Sequence, residues 1–201
     1  MSTEPIEFWF DFTSPYSYLI AEKIDDLGAR HGRKVKWHPI LLGALFKTTG
    51  TVPLIPVPLK GEYSVRDFAR SARFLNIAYR QPTKFPLATI AAARAYYWLH
   101  DRDCAMARAY AKATFRAYFL DDRDISDAAV VVDLAKAAGA NGEELAAALG
   151  AQELKDRLKK ECEAAIATGM FGAPYVIIDG EPFWGADRLP QIEKWLETGG
   201  F

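Results

Sequence analysis

Strand-like segments stand only near the two ends of this 201-residue chain, with a long helical stretch between them, and that split most constrains what the chain can fold into. Ile6-Glu7-Phe8-Trp9-Phe10-Asp11-Phe12 is short, aromatic and apolar, the pattern of a buried strand. Thr13-Ser14-Pro15 follows, and then Tyr16, Ile20, Ile24 and Leu27 recur at helical spacing. Ser14 stands where an N-cap belongs, and Pro15 takes the first helical position, where its missing N–H costs nothing. Gly28 or Gly32 can end that helix, after which Val35-Lys36-Trp37-His38-Pro39-Ile40 reads as a second strand. Strand, helix and strand in this order form a βαβ unit with parallel strands and a right-handed crossover.

Val52-Pro53-Leu54-Ile55-Pro56-Val57-Pro58 is too dense in proline for a helix and favours extended backbone. From Ser64 to Thr168 the pattern is helical almost throughout. Met106 with Tyr110, Val130 and Val131 with Leu134, and Leu154 with Leu158 and Cys162 mark one-faced apolar stripes. Gly139, Gly150 and Gly169 are candidate stops, and Asn141-Gly142-Glu143-Glu144 has the form of a capping box. Strand character returns with Tyr175-Val176-Ile177-Ile178, a two-residue Asp179-Gly180 hairpin turn, and Glu181-Pro182-Phe183-Trp184. A closing helix carries Leu189, Ile192, Trp195 and Leu196, with Asp187 at its start. The order β-α-β, helical block, β-β-α predicts an α/β thioredoxin-like fold with a large all-helical insertion. Residues 1–60 plus 170–201 would form the thioredoxin-like part and 61–169 the insertion.

Half of the residues are hydrophobic, enough for a substantial core. A formal charge of −1 offers no broad field for nucleic acid or an anionic membrane. Met1-Ser2-Thr3-Glu4-Pro5 lacks the basic and apolar regions of a secretory leader, and no apolar run nears the roughly 20 residues of a membrane helix. The cytoplasm is the expected compartment. There, Cys104 and Cys162 are expected to be reduced, buried small residues rather than a disulfide. His31, His38 and His100 have no metal-site spacing, so no metal is expected.

Ser14 is the pivotal position for chemistry. A thioredoxin-like redox enzyme keeps Cys-x-x-Cys at the start of its first helix, and here the four positions are Ser14-Pro15-Tyr16-Ser17. Dithiol exchange is excluded there. A helix start still offers unpaired N–H groups and about half a positive charge, which lowers the pKa of a nearby thiol. That field can act on a thiol brought by a ligand, with the Ser14 hydroxyl as donor; a serine before a Pro-led helix also serves simply as an N-cap. Pro174, in Phe171-Gly172-Ala173-Pro174, either begins an edge strand as a trans proline or, if cis, presents the Ala173 N–H and C=O to an extended ligand backbone. Asp187 is expected to cap the last helix, and its carboxylate with the Ala186 N–H could also meet the charged end of a ligand. Lys60 ends the proline-rich loop and could reach a carboxylate, although a loop lysine is commonly just solvated. Phe46, Leu54 and Ile55 either roof an apolar pocket or cover the core.

Jointly, Phe10-Asp11-Phe12-Thr13-Ser14-Pro15-Tyr16-Ser17-Tyr18, Lys60-Gly61, Phe171-Gly172-Ala173-Pro174 and Phe183-Trp184-Gly185-Ala186-Asp187-Arg188-Leu189 resemble the 2-hydroxychromene-2-carboxylate isomerase family. Kappa-class glutathione transferases look nearly as close, and both are similar to DsbA-type oxidoreductases that have lost their cysteines. The likeness runs in order along nearly the whole chain. It implies glutathione as cofactor, a homodimer, a small aromatic substrate and Ser14 at the sulfur. It places the Ala173 backbone beside Pro174 on the cysteinyl unit, Ala186 and Asp187 on the γ-glutamyl end, and Tyr16 and Lys60 within the glutathione-binding set. It also implies the reaction, a hydroxychromene carboxylate opened to a trans-hydroxybenzylidene pyruvate; conjugation of electrophiles, or non-catalytic peptide binding, are the rival activities. One departure concerns Thr51, which follows Gly50 where these families tend to carry asparagine, so that contact keeps a hydroxyl and loses an amide.

Overall fold

The computed structural model describes residues 3–201, so Met1 and Ser2, the first residues of the segment read for a leader, lie outside it. Four strands, β1 (Ile6–Phe10), β2 (Val35–Pro39), β3 (Tyr175–Ile178) and β4 (Glu181–Trp184), form one sheet in the order β2-β1-β3-β4. β1 and β2 are parallel, with Phe8 opposite Trp37, as the βαβ pattern requires. β3 runs antiparallel to β1, with Val176 opposite Phe8, and pairs antiparallel with β4. Asp179 (φ 53°) and Gly180 (φ 88°) make the two-residue turn, both left-handed as a twisted hairpin needs. The Arg33 guanidinium forks onto the Asp179 carboxylate at 3.1 and 2.8 Å, which ties this turn to the start of β2.

The single helix expected after β1 is two: α1 (Pro15–Ala21) and α2 (Ile24–Arg30), broken at Glu22 and Lys23. Its apolar spacing continues across the break, with Ile20 and Ile24 fully buried and Leu27 nearly so. A helix the sequence did not announce, α3 (Leu42–Thr49), follows β2. The proline-rich segment is irregular, as expected, but Lys60 opens α4 (Lys60–Phe74) rather than ending the loop. Residues 75–89 are not helical, contrary to the near-continuous helix expected there; Pro82 and Pro86 remove backbone donors from that stretch. Then come α5 (Ile90–His100), α6 (Cys104–Phe119), α7 (Ala128–Ala137), α8 (Gly142–Ala148) and α9 (Gln152–Ala167). Asn141 caps α8 by accepting the Glu143 and Glu144 N–H groups, and its amide donates to the Glu144 carboxylate at 2.8 Å. Cys162 is buried as expected, whereas Cys104 is exposed at the first position of α6; the two remain free thiols.

The core is continuous from the sheet into the helical segment. Phe10 and Phe12 pack on Phe115 of α6 with ring centres 5.4 and 5.0 Å apart, and all three are fully buried. Each such burial contributes about 1.5–3 kcal/mol. Helices also close the exposed edge of the sheet. The outward carbonyls of β2 at Val35, Trp37 and Pro39 accept from Arg108 (2.8 Å), Tyr96 (2.9 Å) and Tyr97 (2.7 Å). With its edge satisfied from α5 and α6, β2 offers no free row of acceptors for another strand. Among the described residues no helix is long and apolar enough to cross a membrane.

Candidate active site

A cleft of about 1500 Å³ opens over the start of α1, walled by α3, the proline-rich loop, α4 and the segments at 171–174 and 184–190. Ser14 faces it from an extended backbone (φ −86°, ψ 116°), 6% exposed. Its Oγ accepts the Ser17 N–H at 3.1 Å, so the capping expectation holds. The same hydroxyl donates to the Ala173 carbonyl at 3.3 Å, longer than an ordinary O–H···O bond and correspondingly weak. Ser17, where a Cys-x-x-Cys would carry its second cysteine, is fully buried with an Oγ that has no partner among the described residues.

The Ala173–Pro174 peptide is cis, and the Pro174 carbonyl accepts the Gly185 N–H at 3.1 Å, which fastens this corner to the turn after β4. Ala186 is buried and Asp187 exposed in a single 3₁₀ turn, Ala186–Arg188, that leads into α10 (Leu189–Thr198). Asp187 does not cap. Gly185 stands at the cap position of the 3₁₀ turn and Arg188 at that of α10, and the Asp187 carboxylate accepts from Arg188 at 3.1 Å. Asp187 lies inside that turn, one residue before the α10 cap position at Arg188, and its carboxylate makes no bond to the first N–H groups of α10.

Tyr16 reaches across the cleft, its ring edge-on to Phe68 at 5.0 Å and its hydroxyl donating to Asp67 of α4. Burial and then the Asp67 carboxylate push the phenol well above its ordinary range, so it stays neutral and protonated. Thr51 follows Gly50, the left-handed end of α3 (φ 70°), and its hydroxyl accepts from Thr49 at 2.9 Å. Seven of the eight expected site residues, Lys60 excepted, line the one cleft, and so do Phe46, Leu54 and Ile55. Lys60 is exposed at the first turn of α4 and is not part of the lining. Its neighbour Gly61 has a clear packing role: a Cβ there would sit 2.1 Å from the Ile55 carbonyl oxygen, so only glycine lets the roof loop lie on α4.

Two cleft residues escaped sequence reasoning. Asp67 sits on a polar helix face among ordinary charges, and nothing local marks it. Asp11 ends an apolar strand, 3% exposed, and its carboxylate accepts three hydrogen bonds. Burial holds its pKa above the usual carboxylate range despite those donors. An acid inside a run of phenylalanines was the available signal.

Fold and site together define a thioredoxin-like protein whose helix-start position holds serine in place of the redox cysteine. The chain belongs to the DSBA-like thioredoxin domain family, whose description matches residues 5–197. It is 28% identical to a 2-hydroxychromene-2-carboxylate isomerase of Sphingobium xenophagum, over 96% of this chain and 98% of that one. It is 24% identical to glutathione S-transferase kappa 1 of Rattus norvegicus, over 95% and 92%. Among solved structures, a 2-hydroxychromene-2-carboxylate isomerase superposes with a TM-score of 0.85 at 22% identity, covering 96% of this chain and 94% of the other.

Proposed function

We propose that the chain is a cytoplasmic, homodimeric, glutathione-dependent isomerase acting on an aromatic ring-cleavage intermediate of the 2-hydroxychromene-2-carboxylate type. The observation that carries this is the Ser14 hydroxyl, held at the positive end of α1 and facing a large, mostly apolar cleft beside the Ala173 backbone.

The residues present fit glutathione. The Ala173 N–H has no partner among the described residues and its carbonyl is held only by the long Ser14 bond, so a cysteinyl backbone finds a donor and an acceptor side by side. Ala186 and Asp187 begin a helical turn, where the first N–H groups have no intrahelical partner and suit a carboxylate. The Asp187 side chain, exposed beside them, suits an ammonium. Thr51 offers a hydroxyl from the roof. Lys60, exposed on the first turn of α4 at the edge of the roof loop, is the proposed partner of the glycyl carboxylate.

Glutathione held there would supply a thiolate nucleophile for reversible addition to a conjugated double bond. For this chain, the work is to keep that sulfur ionised and hold the substrate. The α1 start lowers the sulfur's proton affinity, and Ser14, released from the Ala173 carbonyl, turns its proton toward the negative charge. Such donors, fixed before the reaction begins, stabilise charge without reorganisation. Tyr16 stays a neutral donor to Asp67 and presents its ring to the cleft with Phe68, a surface for a flat substrate.

A kappa-like transferase is the second reading, favoured by the glutathione S-transferase kappa 1 likeness. Purified protein given glutathione and the chromene carboxylate decides: isomer without consumption of glutathione supports the isomerase. Conjugate without isomer supports the transferase. Calorimetry that shows no glutathione binding but capture of unfolded peptide removes both in favour of a peptide-binding module.

A further inference from the structure

α3 supplies one wall of the cleft through Leu42, Phe46 and Lys47, yet nothing in its own sequence caps it: Leu41 at the cap position makes no side-chain bond. The N–H groups of this cap residue and of the first helical residue are taken by distant elements. The Leu42 N–H donates to Asp11 Oδ2 at 2.7 Å, and the Leu41 N–H donates to Cys162 Sγ of α9 at 3.4 Å. The other Asp11 oxygen, Oδ1, accepts the Thr13 N–H at 3.0 Å and the Thr89 hydroxyl at 2.7 Å. Thr13 immediately precedes Ser14, and its own hydroxyl accepts the Leu87 N–H at 3.1 Å. Three separate cleft segments, at 13–14, 41–47 and 87–89, therefore converge on one buried carboxylate.

We infer that Asp11 is a positioning residue that clamps the α3 wall of the substrate cleft to the Ser14 loop, with the Cys162 thiol as the second anchor of that wall. Asp11 touches no reacting atom. Its two oxygens divide the labour: Oδ1 fixes the loop that carries Ser14, and Oδ2 fixes the wall opposite. A charged acceptor on a helix's first N–H is worth more than a neutral one, and the backbone donor it satisfies is costly to orphan. The inference rests on the isomerase reading only for what the wall encloses, not for the clamp itself.

Asp11→Asn is the discriminating change. The amide oxygen can keep Thr13 and Thr89, but the amide nitrogen then faces the Leu42 N–H, donor against donor. Backbone amide exchange over residues 42–49 should speed up about tenfold, while α1 keeps its parent protection. The KM for the aromatic substrate should rise about tenfold with kcat and glutathione affinity changed less than about threefold. Cys162→Ala should move both readouts in the same direction by a smaller factor, and Cys162→Ser, which restores an acceptor, should return them toward the parent. Parent-like exchange over α3 in Asp11→Asn, or equal behaviour of Cys162→Ala and Cys162→Ser, overturns the clamp. If the parent protein shows no glutathione-dependent turnover, the functional reading fails, and the exchange comparison still decides the clamp.

Discussion

Replacing Ser14 separates what its hydroxyl does for the fold from what it does for a sulfur. Ser14→Ala removes the acceptor of the Ser17 N–H at 3.1 Å, a cap loss of about 1 kcal/mol. It also removes the donor to the Ala173 carbonyl; at 3.3 Å that bond is long, and its loss adds about 0.5 kcal/mol. Together these lower the melting temperature by about 3–6 °C for a chain of this size, so the variant stays folded. Loss of one oriented donor beside a developing charge costs about 100-fold to 1000-fold in turnover. Ser14→Gly is the control, because glycine at an N-cap costs only a few tenths of a kcal/mol, about. Because it loses the Ala173 bond as well, it should melt between the parent and Ser14→Ala yet lose as much turnover as Ser14→Ala. Melting curves followed by circular dichroism, with kcat and KM at saturating glutathione, test the pair. A glycine variant with parent turnover would show that the hydroxyl acts only as a cap, and the sulfur role would be refuted.

Ser14→Cys should place a thiol in the field of α1, so its alkylation rate should rise with a midpoint well below the ~8.5 of a free cysteine; a midpoint at or above that value denies the field. Stability should also depend on pH through His38, which bonds Glu7 at 2.6 Å and lies 3.8 Å from Glu161. Burial disfavours the imidazolium, but Glu161 and Glu7 outweigh it and raise His38 above its ordinary 6.5, so this contribution is full below pH 6.5 and fades as pH rises through the folded value. The His38 bond lowers Glu161 against burial, and His38 with Lys36 lowers Glu7 despite burial, so their contribution holds above pH 4.5 and fades as pH falls through the folded values. The melting-temperature gap between the parent and His38→Gln should therefore be widest between pH 4.5 and 6.5, and a flat gap from there to alkaline pH contradicts the assignment. Gly61→Ala would bring a methyl within 2.1 Å of the Ile55 carbonyl oxygen, costing about 1–3 kcal/mol and lifting the roof loop. Weakened ligand binding with a lower melting temperature is expected, and parent values in both would contradict the packing argument.

The features legible in the sequence are those whose cause is local. Ser14 before Pro15 is a helix start whatever surrounds it, and Asp179-Gly180 can only turn one way between two strands. α3 was missed because its cap is supplied by Asp11 and Cys162, thirty-odd and over a hundred residues away in sequence, and a window of neighbours cannot show that. Asp187 looked like a cap because an acid before a helical stripe commonly is one; a 3₁₀ turn that takes in Asp187 moves the cap position of α10 to Arg188. Lys60 was placed by the end of the prolines, but helices extend past such marks when their first residues find room on a neighbour, as Gly61 does under Ile55. Asp67 became part of the cleft only through its contact with Tyr16, a pairing across 51 positions.

The most direct test of the central claim is the ionisation of glutathione on the protein, followed by ultraviolet thiolate absorbance during a pH titration of the complex. The account predicts a midpoint at least about one pH unit below that of free glutathione, moving back toward the free value in Ser14→Ala. A bound thiol that titrates as it does in solution, or a parent protein that leaves glutathione unbound, would contradict it.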